Sequence, residues 1–498
     1  LSGLAIAPQP GESVRIRAGT IVAYDEARSG HVLIDGGELV FRDDRIVHVG
    51  GAYAGRVDHE VDARSHLLIP GLIDAHALMD IGIHLLLWDR PRDVGYRPRA
   101  YVEGRGDVFD EEQTRTGAEA MLSMLVRSGV TTFCGINAMV FKRWDDAPWE
   151  PPLYAEVAQR LGLRAYLSHH YRSSVPIVGD AETELVDEAR GALGLERSID
   201  FVERAQRGDF GPRVHGMLFP YTQDTASDTL LQETSQAARS LGVVWRMHTA
   251  QSVAEVERTI ARRGRSPIER LADLGVLGPE ALLTHVLHGR GHAGSAGLSD
   301  AEVALLAASG VNVGHTPWIY LFGGRVLDAF GRYRRAGINV VIGTDTYPGD
   351  MLQEMRMAAL MGKVAERSAT ATSAADVFDA ATLGGARLLG RDDIGRLAVG
   401  ARADLVLVRT DSASFAPTRD PIRSLVYYAS FRDVTDAWVD GQPVLVGGAV
   451  PGFDEGVVNA RMAALLEEVV RVLQGWDDAG RAADERFGPA YPRRRAGG

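Results

Sequence analysis

The chain has 498 residues, 66 Asp+Glu against 54 Lys+Arg, and a formal net charge of -12. Its 1 cysteine, Cys134, excludes a disulfide framework and any Cys-cluster metal site, while the acidic balance and the lack of a basic run argue against a nucleic-acid partner. No apolar run reaches ~18 residues and the N-terminal stretch lacks a signal-peptide layout, so the expectation is a cytoplasmic protein with no membrane partner.

The first 65 or so residues read as β structure, with short branched runs at 14–17, 20–23, 32–34, 38–41 and 46–49 between Gly/Asp turns. From 67 to 354 strand-like runs alternate with amphipathic helical stretches, which implies βα units and a parallel sheet. The strands fall at 67–73, 131–136, 164–168, 213–219, 243–247, 281–284, 311–314 and 339–343. Helices are expected at 111–128, 154–161, 230–241, 267–274, 300–308 and 325–335. A glycine just past each of them (Gly129, Gly162, Gly242, Gly275, Gly310, Gly337) is the usual helix stop. Eight strands with helices between them fit an α/β (β/α)8 TIM barrel of about 250 residues, with a doubly wound open sheet as the alternative.

After the barrel, 373–389 reads as helix, and 405–408, 434–439 and 444–446 return to short strands. Strands of this kind at both ends predict a composite β-sandwich from residues 1–66 and 396–455, flanking a catalytic barrel at 67–395. Residues 456–498 form a C-terminal helix, from 457 to 474, and a loose tail.

In such a barrel the chemistry lies where the strands end. Those positions hold His76, Asn137, His169, His170, His248, His285, His315 and Asp345. Neutral imidazoles with a carboxylate suit one divalent transition metal, Zn or Fe.

Leu68-Ile69-Pro70-Gly71-Leu72-Ile73-Asp74-Ala75-His76 resembles the first barrel strand of the amidohydrolase superfamily. Gly395-Arg396-Leu397-Ala398-Val399-Gly400-Ala401-Arg402-Ala403-Asp404-Leu405 resembles that family's return to its sandwich. Ser266-Pro267-Ile268-Glu269-Arg270-Leu271 and Leu283-Thr284-His285-Val286-Leu287-His288 are similar to the branch with triazine chlorohydrolases and guanine-type and adenosylhomocysteine deaminases. Val313-Gly314-His315-Thr316-Pro317 and Ile342-Gly343-Thr344-Asp345 continue the match.

The resemblance implies roles. His76 and His248 are metal ligands, and Asp345 is a ligand and proton acceptor. His285 holds or activates the water or serves as a further ligand, and His315 faces substrate. Two positions depart from the family. The second His of its first-strand His-x-His is Leu78, and the proton-shuttling Glu of its deaminases is Gln251. Leu78 cannot coordinate, so the site is expected to shift toward His285. His84, Asp80, His169 and His170 are further groups that can swing in.

Gln251 can position by hydrogen bond but cannot transfer a proton, and loss of a general acid/base costs ~10²–10⁴-fold. This favours a leaving group that needs little protonation, or proton work done by Asp345 and His285. Glu255, one turn on, reads as a solvated helix face. Asn137, His169, His170, Arg172, Trp318 and His315 are the candidate substrate contacts, with Tyr171, Ile319 and Tyr320 beside them. Arg172 is the anchor for a carboxylate. Trp88-Asp89-Arg90 reads as a lid or pocket wall, Gly289-Arg290-Gly291-His292-Ala293-Gly294 as a rim loop, and Cys134 as a buried small hydrophobe.

The expected function is metal-dependent hydrolysis of a C–N or C–halogen bond in a small heterocyclic or amide substrate, by a homodimer. A lyase or isomerase on the same scaffold and a metal-free binding protein are the rivals. The chain has two lysines, Lys142 and Lys363. Neither lies at the end of strand four, where the two-metal branch of the superfamily carries a bridging carboxylated lysine.

Overall fold

The computed structural model describes residues 3–82, 86, 107–176, 184–290, 297–321, 323–325, 327, 330–475 and 480–493. Of the residues singled out above, His84, Trp88, Asp89, Arg90 and the rim-loop residues Gly291, His292, Ala293 and Gly294 lie outside these.

Eight parallel strands form the barrel: Leu72–Leu78, Val130–Ile136, Arg164–Leu167, Val214–Gly216, Trp245–Thr249, Ala281–His285, Asn312–His315 and Asn339–Ile342. Strands four and five meet through a parallel bridge between Leu218 and Trp245. Strand eight returns to strand one where the Asp345 amide donates to the His76 carbonyl at 2.8 Å. This closure needs Gly343, because a Cβ there would lie 2.6 Å from that of His76. Ile73, Cys134, Tyr166, Met217, Leu282 and Val341 fill the barrel interior.

The strands of the two chain ends join in one eight-stranded sheet around its own core, which includes Ile16, Phe41, Leu405 and Trp438. Two expectations change here. The runs at 14–17 and 20–23 are one strand, Ser13–Asp25, with an irregular register between Ala18 and Thr20. The run at 67–73 is not one barrel strand. Its first part closes the end-sheet strand His59–Pro70, which pairs antiparallel with Leu405–Arg409, and the barrel begins at Leu72. Both parts are buried, so the hydrophobic run passes between sheets without a break.

The six stop glycines all adopt positive φ, from 65° to 87°. The expected helix at 325–335 is described only as Phe330–Arg335. The one at 373–389 is broken by a wide turn, Ala380–Gly384, where Gly385 packs against Ile73 with no room for a Cβ. A 20-residue helix, Glu188–Arg207, was not anticipated. Near the chain's end, Glu455–Gly475 sets Leu465, Val469 and Leu473 against Ile81, Phe109 and Phe141, covering the rim beside strands one and two. No helix among the described residues is long and apolar enough to cross a membrane.

The sheet and barrel are tied by charge as well as packing. Arg164, 2% exposed, pairs with Asp404 and with Asp440, the latter at 2.6 Å.

Candidate active site and metal centre

His76, His248, His285 and Asp345 come together at the C-terminal mouth, with one ligand atom from each lying within 4.8 Å of the others. The Nε2 of His76 is 3.4 Å from Asp345 Oδ1, and that of His285 is 3.9 Å from Asp345 Oδ2. Neighbouring groups fix which nitrogen faces inward. His248 Nδ1 donates to the Tyr221 carbonyl at 2.7 Å, which leaves its Nε2 lone pair toward the cluster. Thr316 Oγ1 lies 3.0 Å from His285 Nδ1 and 3.5 Å from Asp345 Oδ2, linking the two. Thr284 Oγ1 contacts His76 Nδ1 at 3.4 Å.

Burial holds all three imidazoles neutral, pushing His248 down to about 4 and His76 and His285 well below the usual range. Neutral imidazole is the form that binds a metal. His76 Nε2 is buried with no hydrogen-bond partner. Three nitrogens and a carboxylate with such an orphan atom fit a single divalent ion, which His76, His248, His285 and Asp345 would hold. The backbone supports this reading. His285, Val286 and Asp345 have φ of 82°, 47° and 56°, and non-glycine residues there cost about 1–3 kcal/mol each and cluster at functional sites.

Leu78 packs with Met121, Ile136 and Phe219, so an apolar wall stands where a second ligand would reach in. Phe219 was missed by sequence reasoning, although it sits at the end of the expected fourth strand. Its ring contacts His248 at 5.2 Å, His170 at 4.5 Å and His76 at 6.4 Å. On its face, 4.5 Å away, lies the buried guanidinium of Arg246, which donates to the Cys134 and Gly135 carbonyls. Asp74 was also missed, although it is two residues before His76. It accepts from the His76 amide and the Thr344 hydroxyl, and burial pushes it up to about 6.

Gln251 lies beside the centre, with Oε1 3.4 Å from the Tyr320 hydroxyl and its carbonyl 3.4 Å from Arg325. Glu255 corrects an expectation. It is not a solvated helix face but 1% exposed, turned back to accept the amides of Ala250 and Gln251. A helix-surface pattern cannot reveal a first-turn side chain folded toward the preceding loop.

The remaining candidates divide. His315 is buried with its ring 5.5 Å from Phe330, pushed down to about 3, and stands apart from the four-residue cluster. Asn137 and His170 meet at Asp146. Arg172 lies over the Tyr221 ring at 5.7 Å, with Nε donating to the Trp144 carbonyl at 2.6 Å. Trp318 donates its amide to Glu354. His169 is not brought to the mouth. It lines a cavity of about 330 Å³ with Pro151, Arg197 and Phe201, on the helical side of strand three. Its neighbour Leu167 shares that side, as strand alternation requires. Asp80 accepts from the Ala138 amide, away from the cluster. Cys134 is buried, with its thiol pushed up to about 12 by burial.

The barrel, with a His/Asp cluster that could hold a metal ion at its mouth, defines the class, an enzyme of the barrel hydrolases. Residues 67–444 match the amidohydrolase family, and the chain belongs to that family. It is 30% identical over 463 residues to a 5-methylthioadenosine/S-adenosylhomocysteine deaminase of Halobacterium salinarum, covering 92% of this chain and 98% of the relative. A 5'-deoxyadenosine deaminase of Methanothermobacter thermautotrophicus is 30% identical over 465 residues, with 92% and 99% covered. Among solved structures, a zinc-bound adenosine deaminase from Xanthomonas campestris superposes with a TM-score of 0.74 at 25% identity, covering 94% of this chain and 100% of that one. The zinc complex of atrazine chlorohydrolase from Arthrobacter aurescens TC1 shares the fold, with a TM-score of 0.75, 21% identity and 91% and 100% covered.

Proposed function

We propose that the protein hydrolyses a C–N or C–halogen bond of a small heterocyclic substrate at a single divalent metal held by His76, His248, His285 and Asp345. The observation that carries this reading is the convergence of four donor atoms, one of them the orphaned His76 Nε2. Zinc is the ion favoured, because three imidazoles and one carboxylate match its preferences and two similar structures carry zinc. When bound, the ion supplies Lewis acidity and an acidified water.

The chain's own groups do the rest. Asp345 Oδ2, steadied by Thr316, takes the proton from the attacking water and returns it to the leaving group. His285, on the same hydroxyl, keeps its Nε2 toward the centre. Gln251, tethered by Tyr320, offers the substrate a hydrogen bond but no proton. With the acid-base work resting on Asp345, substrates with a stable leaving group are favoured over simple amidines. Halogenated or similarly activated heterocycles are therefore the first class to test, with the aminated ring suggested by the deaminase relatives as the slower comparison.

Purified protein should carry about one zinc per chain and lose turnover with chelator. Products formed in ¹⁸O-water should carry the label. Metal-free protein with full activity, or unlabelled product, would sink this reading in favour of a binding protein or a lyase. A cytoplasmic homodimer belongs to the same proposal, and sedimentation reads its oligomeric state.

A further inference from the structure

Beside the metal centre, at the ends of strands two and three, a second polar group surrounds Asp146, which is 1% exposed. Its Oδ1 accepts from Asn137 Nδ2 at 3.2 Å. Its Oδ2 accepts from the His170 amide at 2.8 Å and lies 3.2 Å from the His170 Nδ1. Its amide donates to the His170 carbonyl at 3.3 Å. One carboxyl group therefore holds the Asn137 side chain and the His170 backbone, from adjacent strand ends.

That arrangement fixes what each side chain has left. Burial pushes the Asp146 carboxyl up to about 7; ionised above that, it only accepts, so Asn137 turns its amino group to it and Asn137 Oδ1 remains as an acceptor. His170 Nδ1 lies 3.2 Å from that carboxyl group but outside hydrogen-bonding geometry, so both ring nitrogens are unpartnered, and in the neutral ring one of them is a lone pair. Burial holds His170 well below the usual imidazole range, with Arg246 and His169 adding to it. Asn137 is 2% exposed and His170 0%, yet Asn137 Oδ1 and both ring nitrogens of His170 have no hydrogen-bond partner in the protein. A purely structural network would pair such atoms. Lys142 pairs with Glu150, and Asp80 accepts from Ala138. The His170 ring stands edge-on to Phe219, which separates it from His248.

We propose that Asn137 and His170, oriented by Asp146, form a recognition subsite for a substrate group that presents N–H donors, such as an amino, amide or ureido group, with Asp146 as its positioning residue. The assignment rests on the hydrolase reading for the word substrate, but not for the subsite, since none of the three residues belongs to the metal cluster.

The test uses full-length protein and two probes that differ by one amino group, 2-aminopyrimidine and pyrimidine, titrated by ligand-observed NMR with and without zinc. The amino compound should bind about 10-fold more tightly, because a site built to accept a donor rejects the analogue that lacks one. The advantage should survive zinc removal. The amide introduced by Asp146→Asn can donate to Asn137, which turns the Asn137 amide over. In that variant the advantage should fall below about 2-fold while pyrimidine binds as before. A merely structural role would weaken both probes alike. No amino advantage in the parent protein, including binding of neither probe, overturns the assignment, as does an advantage that persists in Asp146→Asn. Zinc content and ¹⁸O incorporation report separately on the hydrolase reading.

Discussion

Glu255 carries the backbone of Gln251: its Oε2 accepts the Gln251 amide at 2.8 Å, while Oε1 accepts that of Ala250 at 2.7 Å. The turn so held includes Ala250 at φ 51° and comes two residues after His248, a member of the His/Asp cluster. Ala250 in turn accepts the amides of Leu287 and His288, just past His285. One buried carboxylate thus steadies the ends of strands five and six together.

Glu255 should make stability fall with pH. Burial, with Asp224 adding to it, pushes its carboxyl up from 4.5 to about 8. The unfolded chain releases this proton first. The contribution is therefore full below about 4.5 and is lost as pH rises toward 8, by an amount on the order of a few kcal/mol. Thermal unfolding of the parent and Glu255→Gln at pH 5 and pH 8 checks it. The glutamine variant should overtake the parent at the higher pH, and parallel curves would count against it.

Leu78→His should trade apo stability for metal affinity. The imidazole would enter the apolar wall of Met121, Ile136 and Phe219, costing about 1–3 kcal/mol without metal. A further ligand should then make zinc raise the melting temperature more than in the parent, as linkage requires. By contrast, His248→Ala and Asp345→Ala should lose stoichiometric zinc. Equal zinc stabilisation of Leu78→His and the parent would show that the added ring does not reach the ion.

Gln251→Glu should restore a proton shuttle. Turnover of 5'-deoxyadenosine, if the parent shows any, should rise by at least ~10-fold in kcat with KM little changed. A chlorinated heterocycle, whose halide leaves without a proton, should gain far less. Equal gains on both would place the limiting step elsewhere.

Arg164→Ala should be among the most damaging substitutions remote from the mouth. It strands the buried Asp404 carboxylate, while Asp440 keeps Arg213 and Arg402. Breaking such a group from one side costs about 3–5 kcal/mol. Denaturant unfolding reads this directly, and a loss under ~1 kcal/mol would mean the interface is held by packing alone.

Much of the architecture was legible because it rests on periodicity and stop signals. Each barrel strand begins or ends within a few residues of its expected run, as at Ala281–His285, and glycines such as Gly242 and Gly310 cap their helices. The Leu67–Ile73 run misled, since continuous burial hides a change of sheet. The convergence of His76, His248, His285 and Asp345 was readable from residues ending strands. What stayed hidden depends on side chains turning across loops. Glu255 folds back on its own turn, His169 faces the helices, and Asp146 joins two strand ends from a loop between them. No periodic pattern records such reach.

Phe219 bears on any redesign of this centre. The ring is the seat of the Arg246 guanidinium, a buried cation whose hydrogen bonds go to strand-two carbonyls and which lies against the aromatic face. Installing a bridging lysine at position 219 would remove the only aromatic support Arg246 has among the described contacts, and until it is carboxylated its ammonium would stand beside that guanidinium. Converting the site to two metals is thus a problem of charge replacement before it is one of ligands: Arg246 and Phe219 would have to change together.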